Sequence, residues 1–89
     1  MYKISVIIRG KNSESWMITK EGIYQAAFDM NVDISFITLS EENNLEEQEE
    51  LIKREIDNGV DALIIAPVDS EKMLDTIKNA KEKVPVVLI

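Results

Sequence analysis

The alternation of short apolar runs with longer stretches of helical periodicity most constrains this chain's fold. Four runs rich in β-branched residues occupy positions 4–8, 33–39, 60–66 and 84–89, and apolar residues recur every three or four positions between them. Connections of about a dozen residues or more are too long for tight hairpins and suit crossover helices between parallel strands. The sequence therefore predicts the order β-α-β-α-β-α-β.

The first helix is expected from about residue 15 to residue 31. Its apolar residues recur at helical spacing and are expected to face the sheet; they are Trp16, Ile23, Ala26, Ala27 and Met30. Gly22 lies inside this helix, where glycine costs about 1 kcal/mol relative to alanine. A close approach of the helix backbone to the sheet at Gly22 would offset that cost.

The second and third helices carry capping signals. Asn44 with Glu47 three residues later resembles a capping box, and Asn58-Gly59 suits a helix end. Asp69 or Ser70 is placed to cap the third helix. The expected inward sides are Leu45, Ile52 and Ile56 in the second helix, and Met73, Ile77 and Ala80 in the third.

These elements predict an α/β fold, a three-layer parallel sheet of the flavodoxin-like, doubly wound type with strand order 2-1-3-4. The whole chain, residues 1–89, is expected to form one partial domain. In such sheets ligands bind outside the carboxyl ends of the strands, at the point where the strand order reverses. Residues 9–16 and 66–70 are therefore where a site is expected.

Composition excludes several classes of function. Ten Lys and Arg against seventeen Asp and Glu give a net charge of −7, which argues against a nucleic-acid partner. Six glutamates lie within positions 41–50, where they suit a solvated helix start. Cysteine and histidine are absent, which removes disulfides, thiol chemistry, imidazole metal sites and histidine-based catalysis. No catalytic residue, metal or cofactor is expected.

Nucleotide and phosphate motifs are also missing. The loop after the first strand carries one glycine, Gly10, where the dinucleotide fingerprint needs three, and no Gly-Lys-Ser/Thr sequence is present. A phosphoacceptor receiver domain has this size and topology, but it needs acids where this chain has Arg9-Gly10 and Ala66-Pro67.

The loop of residues 9–15 is rich in hydrogen-bonding groups and is followed by the only tryptophan, Trp16. Polar groups beside one aromatic ring suit a sugar-like solute, because hydroxyls need directional partners and the apolar ring face stacks on an aromatic. The alternatives are a core position for Trp16, a solvated charge for Arg9, and a helix cap formed by Asp69 and Ser70.

Several stretches resemble the sugar-binding proteins of bacterial ABC importers, the ribose- and galactose-binding type, and the related effector domains of lactose-repressor-like regulators. The resemblance covers the whole chain. It is carried by Lys3-Ile4-Ser5-Val6-Ile7-Ile8, by Lys20-Glu21-Gly22 with Ala26-Ala27, by the passage from Gly59 to Ser70, which reads GVDALIIAPVDS, and by Val84-Pro85-Val86-Val87. The passage before the third helix is the most specific part.

The resemblance implies a ligand-binding set of Arg9, Ser13, Ser15, Trp16 and Asp69. The family places an Asn-Pro-Phe-Phe-like element after its first strand, and the aligned residues here are Ser13-Glu14-Ser15-Trp16. Trp16 takes the second aromatic place, whereas Ser15 stands where the first ring would be. The family's strong ligand aspartate would fall just past Ile89.

The resemblance further implies a non-enzymatic solute-binding component of an import system, of which this chain is the first part of the N-terminal lobe. Its expected partners are a sugar-like small molecule and a membrane permease. Its expected location is periplasmic or extracellular, with or without a membrane anchor. The effector domain of a transcription regulator or membrane sensor is the alternative, and a small flavodoxin-like enzyme is a third interpretation. Residues 84–89 are expected to form an open edge strand through which the chain self-associates.

Overall fold

The computed structural model of the chain describes residues 2–8, 14–41 and 43–89. The elements are β1 (Lys3–Ile8), α1 (Glu14–Met30), β2 (Asp33–Thr38), α2 (Leu45–Asp57), β3 (Ala62–Ile65), α3 (Leu74–Lys83) and β4 (Val86–Leu88). Their order is the predicted one, although β3 and β4 are shorter than the apolar runs that predicted them.

The four strands form one sheet in the order β2-β1-β3-β4, and every pair is parallel. Ser5 of β1 is in register with Ser35 of β2 on one side and with Leu63 of β3 on the other. The predicted fold class and strand order are therefore confirmed.

Helices α2 and α3 pack against each other and against one face of the sheet. The buried cluster on this face consists of Ile7, Ile52, Leu63, Ile65, Met73, Ile77 and Ala80. The inward sides predicted for the second and third helices are confirmed, with Leu45 and Ile56 partly buried against the cluster. Right-handed crossovers place α1 on the opposite face, because the β1-to-β2 connection and the next two run in opposite directions along the sheet.

The predicted inward side of α1 is only partly confirmed. Ala27 is buried and Ile23 is half-buried, but Ala26 is exposed and Met30 is 74% exposed. Gly22 is exposed, and apart from its own helix nothing lies within 4 Å of where a Cβ would be, so the expected close approach to the sheet is wrong. The described contacts of α1 are mainly with β2, an edge strand. An edge strand offers the helix a narrower surface to cover than a central strand does.

The caps of α2 differ from the prediction in one respect. Asn44 is the N-cap, and its Oδ1 accepts a hydrogen bond from the Glu47 backbone N at 3.0 Å, as expected. The Glu47 carboxylate, however, accepts from the backbone N of Ser40 and Glu41 rather than from Asn44. After the helix, Gly59 adopts φ 86° and its N donates to the Ile56 carbonyl, which confirms the predicted end.

None of the helices in the described ranges combines the length and the apolar character needed to cross a membrane.

Candidate ligand-binding edge of the sheet

The carboxyl ends of three strands meet at one edge of the sheet. The Ala66 N, just after β3, donates to the Ile7 carbonyl near the end of β1 at 2.9 Å. The Ile89 N, just after β4, donates to the Ile65 carbonyl at 3.0 Å. The end of β1 therefore lies beside the start of the turn that follows β3. Residues 9–13, which the sequence predicted at this edge, lie outside the described residues.

The turn after β3, residues 66–73, is held by Asp69. One carboxylate oxygen, Oδ1, accepts from the backbone N of Glu71 and of Lys72, each at 3.0 Å. The Asp69 carbonyl accepts from the Met73 N at 3.0 Å. Asp69 therefore caps the turn that precedes α3. The N-cap of α3 itself is Met73, which forms no side-chain cap bond, so the predicted capping of the third helix by Asp69 or Ser70 is wrong.

The cap leaves part of Asp69 available. Its side chain is half-buried, and its second oxygen, Oδ2, has no hydrogen-bond partner among residues 2–8, 14–41 and 43–89. One carboxylate oxygen can thus fix the turn while the other accepts a hydrogen bond from a bound hydroxyl. The cap and the predicted ligand contact are compatible.

Asp69 belongs to an open hollow of about 550 Å³ at this edge. The hollow is lined by Pro67, Val68, Asp69, Ser70, Glu71 and Ile89. Its lining combines two acidic residues and a serine with the apolar residues Pro67, Val68 and Ile89. A mixture of this kind suits a polar solute that also has an apolar face.

Gln48 of α2 supports the same turn, and sequence reasoning missed it. Its side chain is fully buried; Nε2 donates to the Ala66 carbonyl at 3.0 Å, and Oε1 accepts from the Val68 N at 2.8 Å. The sequence indicated this role only through the position of Gln48, which lies between Leu45 and Ile52 on the inward side of α2. A polar residue inside an apolar stripe needs a partner there.

Glu47 stabilises the connection between β2 and α2 through hydrogen bonds to its carboxylate. Ser40 donates to its carboxylate through the side-chain Oγ and the backbone N, and the Glu41 N donates as well. The side-chain bond from Ser40 is the main cause that lowers the pKa of Glu47 from its ordinary value, followed by the backbone bond from Ser40. These bonds favour the carboxylate over the neutral acid.

The remaining predicted ligand residues stay predictions. Arg9 and Ser13 lie outside the described residues. Ser15 and Trp16 lie in the first turn of α1, but only their backbone is described. Within the described ranges, no group of three or more acidic side chains is arranged to hold a metal ion.

Comparison with known proteins identifies the family. The family model described as "periplasmic binding protein domain" matches residues 4–89. This chain belongs to that family. The resemblance predicted from the sequence is therefore confirmed, whereas no curated protein matches the chain significantly.

Solved structures share the fold over the whole chain. A sugar transporter from Clostridium phytofermentans is 26% identical, with a TM-score of 0.90 over 100% of this chain and 34% of its own. A periplasmic ribose ABC transporter from Conexibacter woesei is 26% identical, with a TM-score of 0.83 over 99% and 29%. A periplasmic solute-binding protein from Actinobacillus succinogenes, with bound D-allose, is 21% identical, with a TM-score of 0.88 over 97% and 30%. The chain thus spans about a third of the length of these proteins.

Proposed function

We propose that this chain supplies one wall of the ligand site of a solute-binding component of an ABC-type importer, and that the solute is a sugar or a similar polar molecule. The observation that carries the proposal is the edge at which the turn of residues 66–70 lies beside the end of β1. Family membership supports it, as does the similar fold of a protein with bound D-allose. The role is binding, without catalysis.

The proposed contacts divide between stacking and hydrogen bonding. Trp16 would stack on the apolar face of the sugar ring, while Arg9, Ser13 and Ser15 would bond its hydroxyls. Asp69 would add its Oδ2, the oxygen that the cap does not use, from the other side of the edge. Because Asp69 is already held by its cap, it would lose little side-chain freedom on binding.

The proposed place of the chain is the first part of the N-terminal lobe. A ligand enclosed between two lobes is buried on most sides, whereas one wall leaves much of it in water. We therefore expect this chain alone to bind sugars weakly, with a Kd of roughly 1 mM. In the proposed setting the protein acts in the periplasm or outside the cell and delivers its solute to a membrane permease.

Titration of the chain with D-allose and D-ribose, followed by amide NMR, tests the proposal. Saturable shifts are expected at residues 68–71, with quenching or enhancement of the emission of Trp16, the only tryptophan. Trp16→Ala should weaken binding about tenfold. Phe28→Ala, which removes an aromatic ring that is 83% exposed on the same helix, is the matched control.

Two results would count against the proposal: no shift at residues 68–71 at sugar concentrations about tenfold above the expected Kd of roughly 1 mM, or equal affinity in Trp16→Ala and the unmodified chain. The regulator alternative uses the same edge and differs in the consequence of binding, which is a signal to another domain rather than delivery of the solute. A DNA-binding domain encoded upstream of Met1 would favour the regulator, and an export signal would favour the importer.

A further inference from the structure

Gln48 carries an arrangement that packing alone does not explain. It is fully buried on the inward side of α2, where Glu55 is the other buried polar residue, and both ends of its amide are paired with the backbone of one short segment. The bonds run from Nε2 to the Ala66 carbonyl at 3.0 Å and from the Val68 N to Oε1 at 2.8 Å. A pair of directional bonds to one segment restricts its position and its orientation together.

The Ala66 carbonyl and the Val68 N flank Pro67, which has no N–H of its own. In a parallel ladder, a neighbouring strand bonds the carbonyl before and the N–H after the residue that it faces. β3 ends at Ile65, and within residues 2–8, 14–41 and 43–89 no strand bonds the Ala66 carbonyl or the Val68 N. The primary amide of Gln48 has the same donor and acceptor as a peptide group, and it supplies both bonds.

We infer that Gln48 is a positioning residue for the proposed binding edge: it holds residues 66–68 in place and thereby sets where Asp69 presents Oδ2, the oxygen that its cap does not use. The inference rests on the proposed function for its ligand and on the two hydrogen bonds for its mechanics. Asp69 follows Val68 directly, so a displacement of the Val68 backbone moves the cap that Asp69 forms.

Hydrogen exchange of single amides in the chain separates positioning from general stability. In Gln48→Met, which keeps the side-chain length but forms neither bond, Val68 loses its partner and must exchange faster. The informative amides are Glu71 and Lys72, because they bond Asp69 and do not touch Gln48. Their exchange, relative to that of the core amide of Leu63, is expected to rise about tenfold.

Gln25→Met is the matched control, since Gln25 is exposed on α1 and its amide bonds Asp29 of the same helix. It should leave the ratio of Glu71 to Leu63 exchange unchanged. The inference is overturned if that ratio also stays unchanged in Gln48→Met, or if all amides accelerate equally.

Gln48→Glu provides a second test if Gln48→Met does not fold. The carboxylate cannot donate to the Ala66 carbonyl, but the protonated acid can donate to it and accept from Val68. Exchange at Glu71, relative to the unmodified chain at the same pH, should be raised near pH 8 and restored at about pH 4. No restoration on acidification would overturn the inference.

Sugar titration distinguishes the inference from the function on which it rests. Weaker binding of D-ribose by Gln48→Met, with Gln25→Met unaffected, supports both. If the unmodified chain binds no sugar, the proposed function fails, and the exchange ratios, measured without ligand, still decide whether Gln48 sets the position of Asp69.

Discussion

Replacement of Ser5 by alanine should lower the stability of the fold far more than the removal of one oxygen atom suggests. The Ser5 Oγ, 2% exposed within β1, donates to Oε1 of Glu55 on α2 at 2.7 Å. Glu55 is 8% exposed, and its other oxygen lies 3.4 Å from Nε of Arg54. A hydrogen bond to a charged group contributes about 1.5–3 kcal/mol, and the lower half of that range applies because Arg54 still pairs the carboxylate.

Urea denaturation followed by circular dichroism measures this effect. At an m-value of about 1 kcal/mol per M, a loss of about 1.5–2 kcal/mol lowers the unfolding midpoint by about 1.5–2 M. Ser35→Ala is the matched control, because Ser35 is in register with Ser5 on the neighbouring strand but is exposed. Equal midpoints for the two variants would refute the reasoning.

A double replacement separates the bond from the buried charge that it satisfies. Ser5→Ala leaves the Glu55 carboxylate with one donor fewer, whereas Ser5→Ala combined with Glu55→Met removes both polar partners. Removing both should cost less than the sum of the single changes, since no buried group is left unsatisfied. Additive costs would mean that Ser5 and Glu55 stabilise the fold independently of each other.

Three further outcomes are expected from the described residues. Bonds from Ser40 lower the pKa of Glu47. The stability advantage of the unmodified chain over Glu47→Gln should therefore be present near neutral pH and disappear as the pH falls below about 4. A difference in urea midpoint that does not depend on pH would contradict this prediction. Gly22→Ala should stabilise the fold by about 1 kcal/mol, because Gly22 is an exposed helix residue. Gly59→Ala should destabilise the fold by about as much, because φ at Gly59 is 86°. Thermal unfolding midpoints that shift in the same direction for both variants would contradict this pair of predictions. The open edge of β4, next to the exposed Val87 and Ile89, should pair with a second copy of the chain at roughly 50 µM, and a monomer in sedimentation velocity would rule that out.

Most of the architecture could be predicted from the sequence, because the spacing of the apolar residues and the length of the connections between strands leave few alternative folds. The parallel sheet followed from the long connections between strands, the strand order followed from the flavodoxin-like pattern of the elements, and the ends of α2 followed from Asn44 and Gly59. The inward side of α1 did not follow. Its apolar residues recur at helical spacing, but the pattern does not reveal that the helix packs mainly beside an edge strand.

The site was less predictable. The position of Asp69 indicated a cap of the third helix, but its carboxylate caps the turn before α3, and the helix begins only after Met73. The roles of Gln48 and Glu55 were not foreseen, because each depends on a backbone or side-chain partner 18 to 50 positions away in the chain. Periodicity identifies the side of a helix that faces inward, but it does not identify the partner that a polar residue meets there.

Helix α2 carries a directional contact at each end of its inward side, and this restricts how the helix can slide. Gln48 and Glu55 are seven positions apart, or about 10 Å along the axis. Contacts among Ile52, Leu63 and Ile77 are non-directional and tolerate small translations of the helix. The two polar contacts do not, since a translation by one turn would break both at once. A single helix therefore fixes the distance between Ser5 within β1 and the turn of residues 66–68 at the carboxyl edge of the sheet.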